Sequence, residues 1–366
     1  MADSAANAYD AARYKRAGRG KIVKLIVRAM LLKPFLAVGL GKALEKGEGL
    51  WWKSAEAAHG PPNLSWPHVV RHKNHAWLQA KAPRLPQDNV MTHLPFDLSN
   101  WRQPPQNRDS FSRVETLLPV DEIPAGPAVA PLPQGEALDL SRIMVPTPAG
   151  PCPVPQLLAD TFTDGFLVLH KGRVVAEHAP NLAATARHIL FSVSKSVTGS
   201  LAGILVGEGK LDPDALVTRY VPEVAASAYR DCPVRHVLDM TVDLDFVEDY
   251  VDLEGDYARY RIATAWNPPR PGFGEVGLHK FLATVRPGRS NHGWKFDYKS
   301  VSSDLLGWIV ERAAGTTLAR VMAERLWQPV GAETAAYITT DGMGGARTAG
   351  GMGMTLRDIA RFAEVM

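Results

Sequence analysis

Cysteine is almost absent from this chain. Its 366 residues hold two, Cys152 and Cys232, each followed by proline. That excludes a disulfide framework and any cysteine-based metal spacing. The histidines are scattered, and no His/Cys/carboxylate cluster has metal-ligand spacing, so neither a metal nor an organic cofactor is expected. A long apolar run is missing too. The nearest candidate, residues 22–44, is broken by Lys24, Arg28, Lys33 and Pro34, which argues against a spanning helix. No small-residue cleavage site follows the basic stretch at residues 13–19, so a cytoplasmic location is expected. Net charge is only +3, which gives no reason to expect a nucleic-acid partner. Gly342-Met343-Gly344-Gly345 lacks the lysine and the preceding strand of a phosphate loop.

What is present describes a globular protein. Hydrophobic residues make up 46% and charged residues 22%, in a chain long enough for two domains. Residues 1–60 read as a basic N-terminal extension, because residues 1–53 carry 11 Lys/Arg against 4 Asp/Glu. Within it, residues 20–46 read as a basic amphipathic helix in weak contact with a membrane surface, a plain packing helix or a poorly ordered extension. Residues 61–155 hold many of the 28 prolines, including Pro61-Pro62, Pro104-Pro105, Pro127, Pro131 and Pro133. They read as a segment that wraps or links and makes no core of its own. Residues 156–366 are left as the main domain.

The most informative stretch is Phe191-Ser192-Val193-Ser194-Lys195-Ser196. It opens a helical run expected to bury Val193, Val197, Leu201, Ile204 and Leu205, with Ser196, Gly199, Ser200 and Gly203 allowing close approach of another element. Ser192 and Lys195, at i and i+3, lie one turn apart on one helix face. Backbone N–H groups at the helix entrance are unpaired and favour developing negative charge. A hydroxyl, an amine within reach and an oxyanion donor are the requirements of acyl transfer.

A second segment, Phe296-Asp297-Tyr298-Lys299-Ser300, leads into Ser302-Ser303-Asp304-Leu305-Leu306-Gly307-Trp308-Ile309-Val310-Glu311. This predicts a helix with Ser302 or Ser303 as N-cap, stopped at Gly315. Tyr298 then stands on the loop before a well-anchored helix. An ammonium beside a phenol lowers its pKa, so Tyr298 is expected to relay a proton between Ser192 and the leaving group.

These segments resemble the serine hydrolases of the β-lactamase and penicillin-binding-protein fold, and within them the 6-aminohexanoate-dimer hydrolase branch and its carboxylesterase relatives. The resemblance runs in family order over roughly residues 160 to 366. It includes Thr161 to Leu169 with a hairpin through Lys171-Gly172, the Ser-x-x-Lys helix, Gly207 to Pro213, Tyr220-Val221-Pro222-Glu223, Val234 to Met240, Glu248 to Asp252, the Tyr298 segment, and Gly350 to Asp358. A weaker echo lies in Trp101 to Arg108. It implies an α/β (α+β) fold of the β-lactamase/transpeptidase type: an antiparallel sheet flanked by helices, beginning with the 165–178 hairpin, plus a helical lobe from about 210 to 335. It implies Ser192 as acyl-enzyme nucleophile, Lys195 as its base and Tyr298 as second acid/base, acting on a small-molecule amide or ester. Ser300 falls where most of the superfamily has Asn, and its hydroxyl can bond the lysine and the substrate. Tyr250 matches a mobile-loop tyrosine that covers the substrate amide; its acidic neighbours also suit an idle surface residue.

One family element has no match. No Lys/His-Thr/Ser-Gly strand follows Gly350-Gly351, and Arg347-Thr348-Ala349 fails that role because a Thr355-x-x-Asp358 capping box runs straight into a late helix. Met366 lies inside that apolar-periodic run with no stop signal, so the chain is expected to be C-terminally incomplete or a truncated product, its closing strands missing and the 165–178 hairpin left with an unpaired edge. Two further readings follow: an inactive binding protein on a hydrolase scaffold, and a DD-peptidase or β-lactamase.

Overall fold

The computed structural model describes residues 95–273 and 277–366. The basic extension and the surface helix at residues 20–46 lie outside the described residues. Among the described residues no helix is long and apolar enough to cross a membrane.

The principal sheet is antiparallel and four-stranded, in the order Val120–Ile123, Ala336–Thr339, Met352–Met354, His188–Ile189. Val120 stands opposite Thr339, Met352 opposite Ile338, and Gly353 opposite Ile189. The central strand Ala336–Thr339 is buried throughout, as a strand covered on both faces must be.

The 165–178 hairpin forms, with strands Phe166–His170 and Arg173–His178, but it does not begin the main sheet; it is a separate two-stranded sheet. Its turn residues Lys171 and Gly172 have φ of 51° and 72°, the left-handed pair that suits the twist of a tight hairpin. Nor is its outer edge bare. The backbone N–H of Gly135 donates to the carbonyl of Val174, that of Val174 to Pro133, and that of Leu138 to Val175. The proline-rich stretch therefore covers the edge with its own backbone. It also contributes the edge strand Val120–Ile123 of the main sheet and core side chains, Trp101, Val114 and Leu118 among them.

Two helices build the wall that carries the site. Ser194–Gly207 packs against Ser300–Ala314, with Val197, Leu201, Leu205, Leu305 and Ile309 all in one core. Val193, expected inside, is 44% exposed, because it belongs to the 3₁₀ turn Phe191–Val193 that precedes the helix and stands off its buried face. The Ser300–Ala314 helix starts ahead of the expected serine caps. Lys299 occupies the N-cap position without a capping side chain, and the carboxylate of Glu248, distant in sequence, accepts the Ser300 N–H at 2.5 Å. The helix ends at Gly315, whose φ of 71° is the left-handed cap. Thr355 caps the Leu356–Val365 helix by accepting the Asp358 N–H at 3.2 Å.

Candidate active site

Ser192 sits in the 3₁₀ turn at the entrance of the Ser194–Gly207 helix, exposed at the surface, directly after Phe191 at φ 45°. A left-handed conformation at a bulky residue is costly and persists only where its surroundings fix it. They do so here through rings. Phe191 lies 4.9 Å from Phe111, 6.0 Å from Trp266 and 6.3 Å from Trp101, centroid to centroid. Trp101 is fully buried and donates its indole N–H to the Trp266 carbonyl at 3.3 Å. The aromatic brace thus gives the weak echo at Trp101 a role: it holds the backbone that aims Ser192.

Lys195 and Tyr298 both reach the Ser192 hydroxyl. The Lys195 Nζ donates to Ser192 Oγ at 3.1 Å, and the Tyr298 hydroxyl donates to the same oxygen at 2.7 Å. Lys195 Nζ also lies 5.0 Å from the centre of the Tyr298 ring and donates to the Ala349 carbonyl at 2.6 Å. Tyr298 is positioned by its loop, in which Asp297 N–H donates to the Met240 carbonyl.

The amine is 4% exposed, and burial is the main force on it. Together with the Arg347 cation, and against Glu248 and Asp304, burial brings the Lys195 pKa down from 10.5 to about 7. Burial pushes the Tyr298 phenol up, the hydrogen bond to Ser192 only partly opposing it. This corrects the expectation of a phenol lowered by a neighbouring ammonium. The lysine is itself desolvated, and a buried amine that has shed its proton cannot stabilise a phenolate.

Beta-lactamase is the family model that matches, over residues 156–366. Among curated proteins, 6-aminohexanoate-dimer hydrolase of Paenarthrobacter ureafaciens is 36% identical over 270 residues, 74% of this chain and 67% of that protein. A solved structure from Bacillus anthracis assigned to 6-aminohexanoate-dimer hydrolase superposes with a TM-score of 0.69 at 25% identity, covering 74% of this chain and 71% of that one. The chain belongs to the beta-lactamase family. It is a serine hydrolase of the β-lactamase/transpeptidase-like fold, related to 6-aminohexanoate-dimer hydrolase.

Among the described residues, Ser300 and Tyr250 make no hydrogen bond to Ser192, Lys195 or Tyr298, and both bond Glu248 instead. The Ser300 hydroxyl donates to Glu248 Oε1 at 2.7 Å, and among the described residues no bond joins it to Lys195. Tyr250 is half exposed; its hydroxyl donates to the same Glu248 oxygen at 2.7 Å, and its ring lies 4.6 Å from Tyr257. Glu248 therefore ties the Tyr250 loop to the first turn of the Ser300–Ala314 helix. Sequence reasoning missed Glu248, which looks like one surface acid among several in Glu248-Asp249-Tyr250-Val251-Asp252. It also missed Asp304 and Arg347, and set aside the Arg347-Thr348-Ala349 segment whose last carbonyl Lys195 grips. For Asp304 a signal was available, a carboxylate three residues after Val301 and four before Trp308 on its helix; Arg347 lies outside any helix or strand and had none.

Proposed function

We propose that this hydrolase cleaves an amide or carboxylic ester through an acyl-enzyme on Ser192. One observation carries the reading: a single exposed hydroxyl receives hydrogen bonds from both a buried amine and a phenol, at 3.1 and 2.7 Å. Above about pH 7 Lys195 is neutral and its lone pair can take the Ser192 proton as Oγ attacks the carbonyl carbon. The Ser192 backbone N–H at the helix entrance supplies an oxyanion donor. As the tetrahedral adduct collapses, the leaving nitrogen or oxygen takes the Tyr298 hydroxyl proton, and the Lys195 ammonium returns one to the phenolate. Water attacks the ester by the same route in reverse. An amine and a phenol driven apart in pKa, each towards its neutral form, define a base and an acid at one pH.

The substrate class follows the relative's name: a 6-aminohexanoate-oligomer-like amide, with short-chain esters as surrogates. Tyr250, half exposed on its loop, and Ser300 behind Glu248 contribute to substrate binding.

The test is fluorophosphonate labelling of the purified chain, followed by peptide mass spectrometry. The adduct is expected on the peptide carrying Ser192 and is expected to vanish in Ser192→Ala, together with hydrolysis of a short-chain nitrophenyl ester. An adduct on Ser194, Ser196 or Ser300 overturns the assignment. Fluorescent penicillin is expected to leave Ser192 unlabelled; stable labelling would move the reading to β-lactam or DD-peptide chemistry.

A further inference from the structure

We propose that the buried ion pair Arg347–Asp304 positions Lys195 and sets its charge, so that both are positioning residues of the hydrolytic reaction. The proposal rests on the reading of Lys195 as the base for Ser192.

The geometry forms a closed relay. Asp304 lies in the second turn of the Ser300–Ala314 helix and is 1% exposed; Arg347 is 2% exposed. A guanidinium nitrogen of Arg347, Nη1, donates to Asp304 Oδ2 and to the hydroxyl of Tyr260, which itself donates to Asp304. The other carboxylate oxygen of Asp304, Oδ1, accepts the Ala349 N–H at 2.6 Å and the Thr348 hydroxyl at 3.2 Å. Thr348 further donates to the Ser303 carbonyl at 2.8 Å. The carbonyl of Ala349 then takes the Lys195 Nζ at 2.6 Å. One carboxylate thus holds the N–H side of the residue whose carbonyl receives the amine, while its counter-cation stacks over Tyr260 at 4.3 Å and Trp266 at 4.9 Å.

A pair serving only the fold would do its work anywhere in the core. This one lies within electrostatic range of the amine on which the chemistry depends. The charged and titratable groups facing Lys195 are Arg347 from the 347–349 loop, Asp304 from the helix, Glu248 from the Tyr250 loop and Tyr298 from the loop before the helix. Arg347 disfavours a proton on the amine, and Glu248 and Asp304 favour one. Burial is the largest force on the Arg347 cation and works against it, but Asp304, Tyr260 and Tyr257 together outweigh it, so Arg347 remains charged wherever Lys195 titrates. The pair acts as a fixed dipole whose ends pull the amine in opposite directions, and each end can be removed separately.

The experiment measures kcat/KM against pH, from 5 to 10, for a short-chain ester with the wild type, Lys195→Ala, Arg347→Met, Asp304→Asn and Arg347→Lys. Lys195→Ala is expected to lose at least ~10²-fold. If it keeps the wild-type rate, the reading of Lys195 as base is wrong and this proposal goes with it. Given that loss, the midpoint of the acidic limb should rise by roughly one pH unit or more in Arg347→Met and fall by about half a unit or more in Asp304→Asn. Arg347→Lys, which keeps the cation, should restore the wild-type midpoint. Uniformly lower rates with unmoved midpoints would mean a structural pair and overturn the proposal while leaving Lys195 as base. Should Arg347→Met fail to fold by near-ultraviolet circular dichroism, Asp304→Asn decides alone. Its amide oxygen can still accept the Ala349 N–H, and the predicted shift has the opposite sign.

Discussion

Replacing Lys195 with methionine should stabilise the folded protein, by an amount that depends on pH. The amine has a pKa of about 7 in the folded chain and 10.5 when unperturbed. Between those values the unfolded chain binds a proton that the folded one does not, so the wild type gains stability as pH rises from 7 to 10.5. Below pH 7 both states are protonated, and the folded protein must hold a buried cation. At about 1.4 kcal/mol for each pH unit between the two values, that costs on the order of 4–5 kcal/mol. Methionine has a similar length and no charge. It leaves the Ala349 carbonyl without its Lys195 donor, at a cost of about 1–3 kcal/mol that does not vary with pH. The advantage of Lys195→Met should therefore be roughly 1–4 kcal/mol at pH 6 and should shrink by about 2–3 kcal/mol by pH 9. Urea unfolding followed by tryptophan fluorescence reads both quantities. Titrating groups that are not coupled to Lys195 cancel in the comparison. A difference that is constant from pH 6 to pH 9, or a wild type that is the more stable at pH 6, would refute the claim that Lys195 is held neutral by burial.

The leaving group separates the roles of Tyr298 and Lys195. On an ester, Lys195→Ala should lose more activity than Tyr298→Phe, and on an amide the Tyr298→Phe loss should grow, because an amine needs general-acid help of ~10²–10⁴-fold; equal Tyr298→Phe losses on both substrates would remove the tyrosine from the acid role. Glu311, pushed up to about 7 by burial, is protonated in the folded chain at pH values where the unfolded chain has lost the proton. Its stabilising contribution therefore fades as pH rises from 4.5 to 7, so Glu311→Gln should raise stability by roughly 1–3 kcal/mol at pH 8 and change little at pH 4, as melting temperatures would report. A methyl at Gly307 would overlap Cγ2 of the fully buried Thr348, so Gly307→Ala should destabilise by roughly 1–3 kcal/mol and lower activity by moving the loop that grips Lys195; an unchanged melting temperature would show that helix and loop separate freely.

What could be read from the sequence was local. Ser192 and Lys195 meet because i and i+3 on a helix must, and Gly315 ends its helix because a left-handed cap favours glycine. The hairpin turn at Lys171-Gly172 and the Thr355 cap are equally short-range. The family itself was legible because many such segments recur in order. The features that went unread depend on partners far apart in the chain. The cap on Ser300 comes from Glu248, so the nearer serines gave the wrong helix start. The edge of the 165–178 hairpin is covered by backbone bonds from residues 133–138, and a backbone bond leaves no side-chain pattern to read. Proline-rich composition suggested a wrapping strip; it could not reveal that such a strip also supplies a sheet edge at Val120–Ile123 and the tryptophan that braces Phe191.

The error over Tyr298 has a single physical source. Treating the phenol as lowered by an ammonium, while asking that same lysine to be a neutral base, gives the amine two charges at one pH. Burial removes the contradiction. Desolvation disfavours whichever form of a group is charged, so it pulls an amine down and pushes a phenol up. Lys195 and Tyr298 sit against one hydroxyl and shift in those two directions. In the pH range just above 7 both are then neutral, and that is the state in which the amine can take a proton and the phenol can give one. The Arg347 cation reinforces the amine's shift, and its partner Asp304 keeps that cation from being an unpaired buried charge. Lys195 therefore needs dry surroundings more than it needs a nearby opposite charge, and those surroundings come from elements that no short motif encodes.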